Sequence, residues 1–225
     1  SPAPPPTMLL FPERIPIPEI FHSEDASAPF ERCLVCDRSL LDGNQEYLIE
    51  KAVKQYPEYD VREIVIEYAL CLACHAEMQN AISEASKLAL ETYFLENTEL
   101  HQRAFSRMAD AATPGESLEE AEAAGDPTSS EAGPSGEAPD VQNWLDRCIV
   151  HGTPTGDLHE FQLIGHCAGR DMLLTHMPLV IGGPAMDEIA QQLSNETLDE
   201  LGGFRDEHFG LPPEFSRDIP GPILA

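Results

Sequence analysis

Basic residues are scarce in this chain. Against 40 aspartates and glutamates stand 13 lysines and arginines, a formal balance of −27 over 225 residues. Lysine occurs only at 51, 54 and 87, and the arginines are scattered, so no basic stripe exists. Such a surface repels phosphate, which argues against unspecific nucleic-acid binding and against anionic membranes. Long apolar runs are lacking too. No stretch approaches the roughly 18 residues a membrane helix needs, and no signal-peptide pattern is visible. A phosphate-binding loop, a dinucleotide fingerprint and a kinase signature are all absent, which removes the common nucleotide-using enzyme classes.

What is present suffices for a core: 42% of residues are hydrophobic, near the globular norm. Residues 1–29 hold eight prolines and read as an extended arm. Its apolar residues, Met8 to Phe11, Ile15, Ile17, Ile20 and Phe21, predict that it packs along a groove of its own fold or of a partner. Residues 30–110 read as the first folded unit. Strands are expected at Tyr47–Ile49 and at Arg62–Tyr68, with Pro57 in the connection. A long helix is expected over 73–96, striped by Met78, Ile82, Ala85, Ala89 and Thr92, with a continuation carrying Leu100, Phe105 and Met108. Residues 111–140 carry eight acidic residues and no Lys or Arg, and predict a disordered acidic linker. Residues 141–225 read as a second small α+β unit. It opens at Trp144 and has strands at Phe161–Ile164, Met172–Leu174 and Leu179–Ile181. A helix begins at Pro184, and a shorter one, capped near Ser194, stops at Gly202-Gly203. The expected fold class is therefore α+β.

The organising chemistry is a pair of Cys-x-x-Cys motifs, Cys33/Cys36 and Cys71/Cys74, with 34 residues between them. Four thiolates can close the tetrahedron that structural Zn2+ prefers, at about 2.3 Å each. The second pair enters a helix, where the dipole and free N–H groups favour negative charge. Two other readings of these cysteines are disulfides in a secreted protein and thioredoxin-like redox chemistry. Paired cysteines in a chain of this length favour a reduced metal protein, and so a cytoplasmic location. A knuckle, a hairpin and a second Cys pair entering a helix together resemble the treble-clef or zinc-ribbon class of zinc fingers over residues 30–96. That resemblance implies a zinc-stapled β-hairpin plus helix. The class spans nucleic-acid readers, protein adaptors and a few enzymes, so it does not select a function.

The two units begin alike. Glu31-Arg32-Cys33-Leu34-Val35-Cys36 matches Asp146-Arg147-Cys148-Ile149-Val150-His151 position by position. A strand follows about ten residues later in both, and both units close with an amphipathic helix. The second unit therefore reads as a degenerate copy. Its helix start, Gly182-Gly183-Pro184, offers no ligand. A second, weaker metal site would need Cys148 and His151 to be joined by residues such as His166 and Cys167.

Gly165-His166-Cys167-Ala168-Gly169 fits the nucleophile-elbow pattern with Cys for Ser, but the large parallel sheet that motif requires cannot be built here. The glycines read instead as a turn between strands. His159-Glu160 begins a zincin motif that fails at Leu163. The sequence thus predicts a non-enzymatic zinc-binding protein acting in protein–protein interaction or regulation. Its partner is expected to be a neutral or basic protein, with a homodimer through the long helix as a further expectation. The alternative is a metal-dependent or Cys/His hydrolytic enzyme with its site in the second unit, around His151, His166, Cys167 and His176.

Overall fold

The computed structural model describes residues 12–100, 102–103 and 141–210. The fold is α+β, built on one antiparallel sheet of six strands. The strands are β1 (Glu13–Pro16), β2 (Glu46–Tyr56), β3 (Val61–Cys71), β4 (Glu160–Ala168), β5 (Asp171–Leu174) and β6 (Leu179–Gly182). Their order is β1-β5-β4-β2-β3, and β6 also pairs with β4. The helices are α1 (Leu72–Asn80), α2 (Glu84–Asn97), α3 (Val141–Leu145), α4 (Gly183–Ala190) and α5 (Asn195–Phe209). The acidic segment 111–140, the residues Met8–Phe11, Phe105 and Met108, and the tail from Leu211 lie outside the described residues.

β2 and β3 are rich in β-branched and aromatic residues and form a long hairpin. Pro57 does sit in the connection, in a short 3-10 turn closed by Asp60 at φ +53°. A bulge between Ala52 and Val53 leaves Val65 without a partner in the register. The central pairing of the sheet joins β2 to β4, from Glu46 opposite Ala168 to Lys54 opposite Glu160. The two chain segments around the cysteine motifs thus share one sheet and one continuous core.

The N-terminal arm covers one face of this sheet. Ile17 and Phe21 are buried, and a Cβ at Gly165 would meet the Phe21 ring at 2.9 Å, so the ring lies where β4 has no side chain. Gly165 therefore sits inside β4, and only Gly169, at φ +58°, makes the turn into β5. Lys51 points to the same face and is 3% exposed. It donates to the carbonyls of Ile20 and His22 and pairs with Glu67 at 3.0 Å. Glu67 also accepts from Ser23 Oγ at 3.0 Å and from the Glu24 amide at 2.8 Å. A buried charge this fully bonded fixes the arm at one place on the sheet.

The opposite face carries Glu50 and Tyr68, whose hydroxyl donates to Glu50 at 2.6 Å, and α5 lies over them with Phe209 against Tyr68. α5 runs straight through Gly202-Gly203, which were expected to stop it, and ends at Gly210 with φ +56°. Two glycines cost a helix about 1 kcal/mol each. The packing of Phe204 and Phe209 beyond them offsets that cost.

The single long helix expected over 73–96 is two helices. α1 ends at Asn80, and Ser83 caps α2 by accepting from the Ser86 amide. Restarting the helix rotates its buried stripe to Ser86, Leu90 and Tyr93, leaving Ala85 and Thr92 exposed. A serine cap is favourable only at a helix start, and the 3.6-residue pattern alone does not reveal the break. Ser194 caps α5 in the same way, accepting from Thr197. The two caps meet. Ser83 Oγ lies 3.2 Å from Ser194 Oγ, the Ser83 amide donates to Thr197 Oγ1 at 3.1 Å, and the Ser194 amide donates to Ser86 Oγ at 2.8 Å.

Candidate metal centre

The site begins with a tight loop. Arg32 bridges to Ser39, the Cys33 amide donates to the Arg38 carbonyl at 3.0 Å, and the Asp37 amide returns to the Cys33 carbonyl at 3.0 Å. Asp37 closes the loop at φ +53°, a left-handed conformation that Asp tolerates better than most residues. The Leu34 amide donates to the Ala69 carbonyl at 2.9 Å, which anchors the loop to the edge of β3. Two residues on, Cys71 ends β3 and serves as the N-cap of α1, and Cys74 lies in that helix's first turn. Strand and helix thus deliver one cysteine pair to the other across 34 intervening residues.

Cys33, Cys36, Cys71 and Cys74 place their sulfurs within 4.8 Å of one another. Cys36 Sγ and Cys71 Sγ are 3.7 Å apart. Sulfurs about 2.3 Å from a central ion in a tetrahedron stand about 3.8 Å from each other, whereas a disulfide requires about 2.05 Å. The spacing therefore fits a shared ion and excludes an S–S bond, and all six cysteines are free thiols. Cys33, Cys71 and Cys74 are buried and Cys36 is exposed, so the site opens to solvent along one ligand.

Electrostatics point the same way. Burial raises the Cys33 thiol, but amide donors from Cys36, Cys71 and Val35 outweigh it and hold the group at about 7. The Cys71 amide itself donates to Cys33 Sγ at 3.4 Å. Burial pushes Cys71 and Cys74 upward; at Cys74 the three neighbouring thiols add to the rise, and at Cys71 Cys36 and Cys33 do so while Cys74 opposes it. One thiolate is thus prepared, while burial and crowding oppose the next. A divalent cation removes that opposition, since each thiolate then faces the ion. The four cysteines are arranged to hold a metal ion.

His75, next in sequence to Cys74, is outside this set. It is buried and 3.4 Å from Gln79 Nε2, and burial followed by the neighbouring His166 lowers its pKa.

The residues of the second, weaker set are spread through the other half. Among the described residues, no three of Cys148, His151, His166 and Cys167 form a group comparable to the four cysteines. Cys148 is buried and its sulfur accepts from the Gly182 amide at 3.3 Å. His151 is 3.2 Å from Glu188, which also accepts from the Tyr93 hydroxyl at 2.7 Å. His166 bonds Glu46 at 3.1 Å. Cys167 is fully buried beside Tyr47, and burial first, then Asp171, carries its thiol to about 12. Such a thiol carries almost no thiolate at neutral pH and is a poor nucleophile. His176 has its pKa lowered by burial, His166 and Arg103.

Sequence reading placed a cap near Ser194, which the structure confirms, but missed Ser83, Ser86 and Thr197, with which that cap meets. The signal was there: Ser83-x-x-Ser86 follows Cys71 at the spacing with which Ser194-x-x-Thr197 follows Gly182. No family model matches the chain, and neither does any curated protein or solved structure.

Proposed function

We propose that the resident ion is Zn2+ and that it serves a structural role in a non-enzymatic protein whose work is protein–protein interaction or regulation. The observation that carries this reading is the closure of the site. Four sulfurs satisfy tetrahedral zinc completely and leave no position for water or substrate, the arrangement of structural rather than catalytic zinc. The ion would join the knuckle, the end of β3 and the start of α1, holding the treble-clef-like corner together. Free thiols throughout support a reducing compartment, with the cytoplasm as the proposed location. Among the described residues no helix is long and apolar enough to cross a membrane.

The interaction role rests on what the acidic surface leaves uncovered. Tyr59 is 75% exposed at the tip of the β2–β3 hairpin, beside the exposed Tyr56 and Val61. Leu88 and Leu95, one heptad apart on α2, are 66% and 63% exposed. Apolar groups on a chain of charge −27 suit a neutral or basic protein partner, or a second copy through the α2 leucines.

The test is elemental mass spectrometry of the purified full chain, followed by thermal melting with and without a chelator. One zinc per chain, and a melting point that falls on chelation, is the expected result. A chain that carries no metal and melts identically in chelator ends the structural-zinc reading. Sedimentation at rising concentration decides between a homodimer and a different partner.

A further inference from the structure

We infer that the chain is an internal dimer, two copies of one metal-binding unit about a pseudo-two-fold axis, and that Gly182 and Ala185 occupy the vacated ligand positions of a second metal site. The inference rests on the reading of the first site as a metal site.

The correspondence runs through hydrogen bonds, not only through letters. In the first loop the Cys33 amide bonds the Arg38 carbonyl, and in the second the Cys148 amide bonds the Thr153 carbonyl at 2.9 Å. Asp37 closes the first loop with positive φ, and Gly152 closes the second at φ +66°. Leu34 anchors the first loop to the Ala69 carbonyl, and Ile149 anchors the second to the Val180 carbonyl at 2.8 Å. The Cys71 amide donates to Cys33 Sγ at 3.4 Å, and the Gly182 amide donates to Cys148 Sγ at 3.3 Å. Cys71 and Gly182 are both the last strand residue and the N-cap of the helix that follows. Three residues on, Cys74 corresponds to Ala185. Twelve on, the capping Ser83 corresponds to Ser194.

Strands β2, β3, β4 and β6 obey the same symmetry. Cys71 pairs with Tyr47 and Gly182 pairs with Phe161, two fully buried aromatic residues. Across the central pairing Tyr47 lies opposite Cys167 and Phe161 lies opposite Val53, which sets the axis at the pair Glu50 and Ile164. The capping serines exchange bonds reciprocally, Ser83 to Thr197 and Ser194 to Ser86, as residues do across an isologous interface.

The N–H donor to Cys148 explains the direction of change. A neutral thiol is a weak acceptor, whereas a metal-bound thiolate is a strong one whose surrounding amides orient it. Cys148 keeps the donor of a metal knuckle with no metal cluster around it among the described residues. At the place of Cys36 stands His151, held by Glu188, and that glutamate is bonded in turn to Tyr93 of α2. A hydrogen-bonded network of His151, Glu188 and Tyr93 stands where the first knuckle presents its second thiol.

The test restores the missing ligands in the full chain. With Gly182→Cys and Ala185→Cys, thiolates at both positions join Cys148 and His151 in a three-sulfur, one-nitrogen set. A Cβ at 182 meets Leu158 Cδ2 at 2.9 Å, the far end of a side chain, and stands 3.6 Å from Cys148 Sγ. Adding Leu158→Ala relieves the contact. Zinc per chain is expected to rise from one to two, and cobalt substitution should add a second thiolate charge-transfer band that His151→Ala weakens. A folded variant holding the same zinc as the parent overturns the inference. So does failure of both the double and the triple variant to fold in zinc, since true ligand positions accept cysteine. Zero zinc in the parent would instead remove the first-site reading, so the two failures are distinguishable.

Discussion

The corner around Cys33 and the corner around Cys148 are the instructive pair. Both have a tight loop tied by an amide to a neighbouring strand, and both have a sulfur that accepts from the amide at a helix start. One gathers four sulfurs within 4.8 Å, and the other presents a single buried thiol with a His–Glu–Tyr network beside it. The backbone design is therefore separable from the metal. Where the first corner gathers sulfurs, the second is filled by packing: Gly182 lies against Leu158, and Ala185 and Ile181 are buried nearby.

The comparison can be broken most severely at the equivalent cysteines. Cys33→Ser should abolish metal binding, and zinc bound in such sites carries on the order of 10 kcal/mol of free energy linked to folding. Cys148→Ala should leave metal content unchanged and cost about 1–2 kcal/mol for a small buried cavity. Metal analysis and chemical denaturation of both variants check this, and equal losses would erase the distinction between the corners.

A second contrast is the sheet face under the arm. Lys51→Met strands Glu67 beneath residues 20–24 and should cost about 3–5 kcal/mol, read as a shift in the urea midpoint. Ser83→Ala and Ser194→Ala remove the two caps that meet. Each should cost about 1–2 kcal/mol, and their combined effect should be non-additive in a double-mutant cycle.

The smallest effect is that of pH. His166 and His176 are held neutral by burial, with folded pKa values below the unfolded value of about 6.5. The unfolded chain therefore takes up protons first as pH falls. Stability contributed by the two groups is complete above about 6.5 and declines below it, until the folded histidines also protonate. His176→Gln should flatten this slope in melts recorded between neutral and mildly acidic pH.

Much of the site was legible from spacing because metal chemistry demands it. Four cysteines in two pairs, one before a helix, leave few arrangements, and the structure gathers the four as expected. The main strands were legible because β-branched and aromatic runs fit a pleated surface. The split of the long helix at Ser83 was harder to see, because a serine inside an apolar period reads as a tolerated surface residue unless its cap is known. The passage of α5 through Gly202-Gly203 was not visible either, since the packing of Phe204 and Phe209 belongs to distant contacts.

The sequence by itself determined the four-cysteine ligand set, the strand and helix types, the acidic surface and the likeness of the two cysteine loops, because each depends on residue chemistry within a short window. Only the tertiary structure decided that β2 and β4 pair, that Phe21 fills the space over Gly165, that Lys51 is buried against Glu67, and that the caps of α2 and α5 meet. Those are contacts between segments up to more than a hundred residues apart. Strand pairing is set by backbone hydrogen bonds and shape, which any pleated segment can offer, so composition alone does not name the partner.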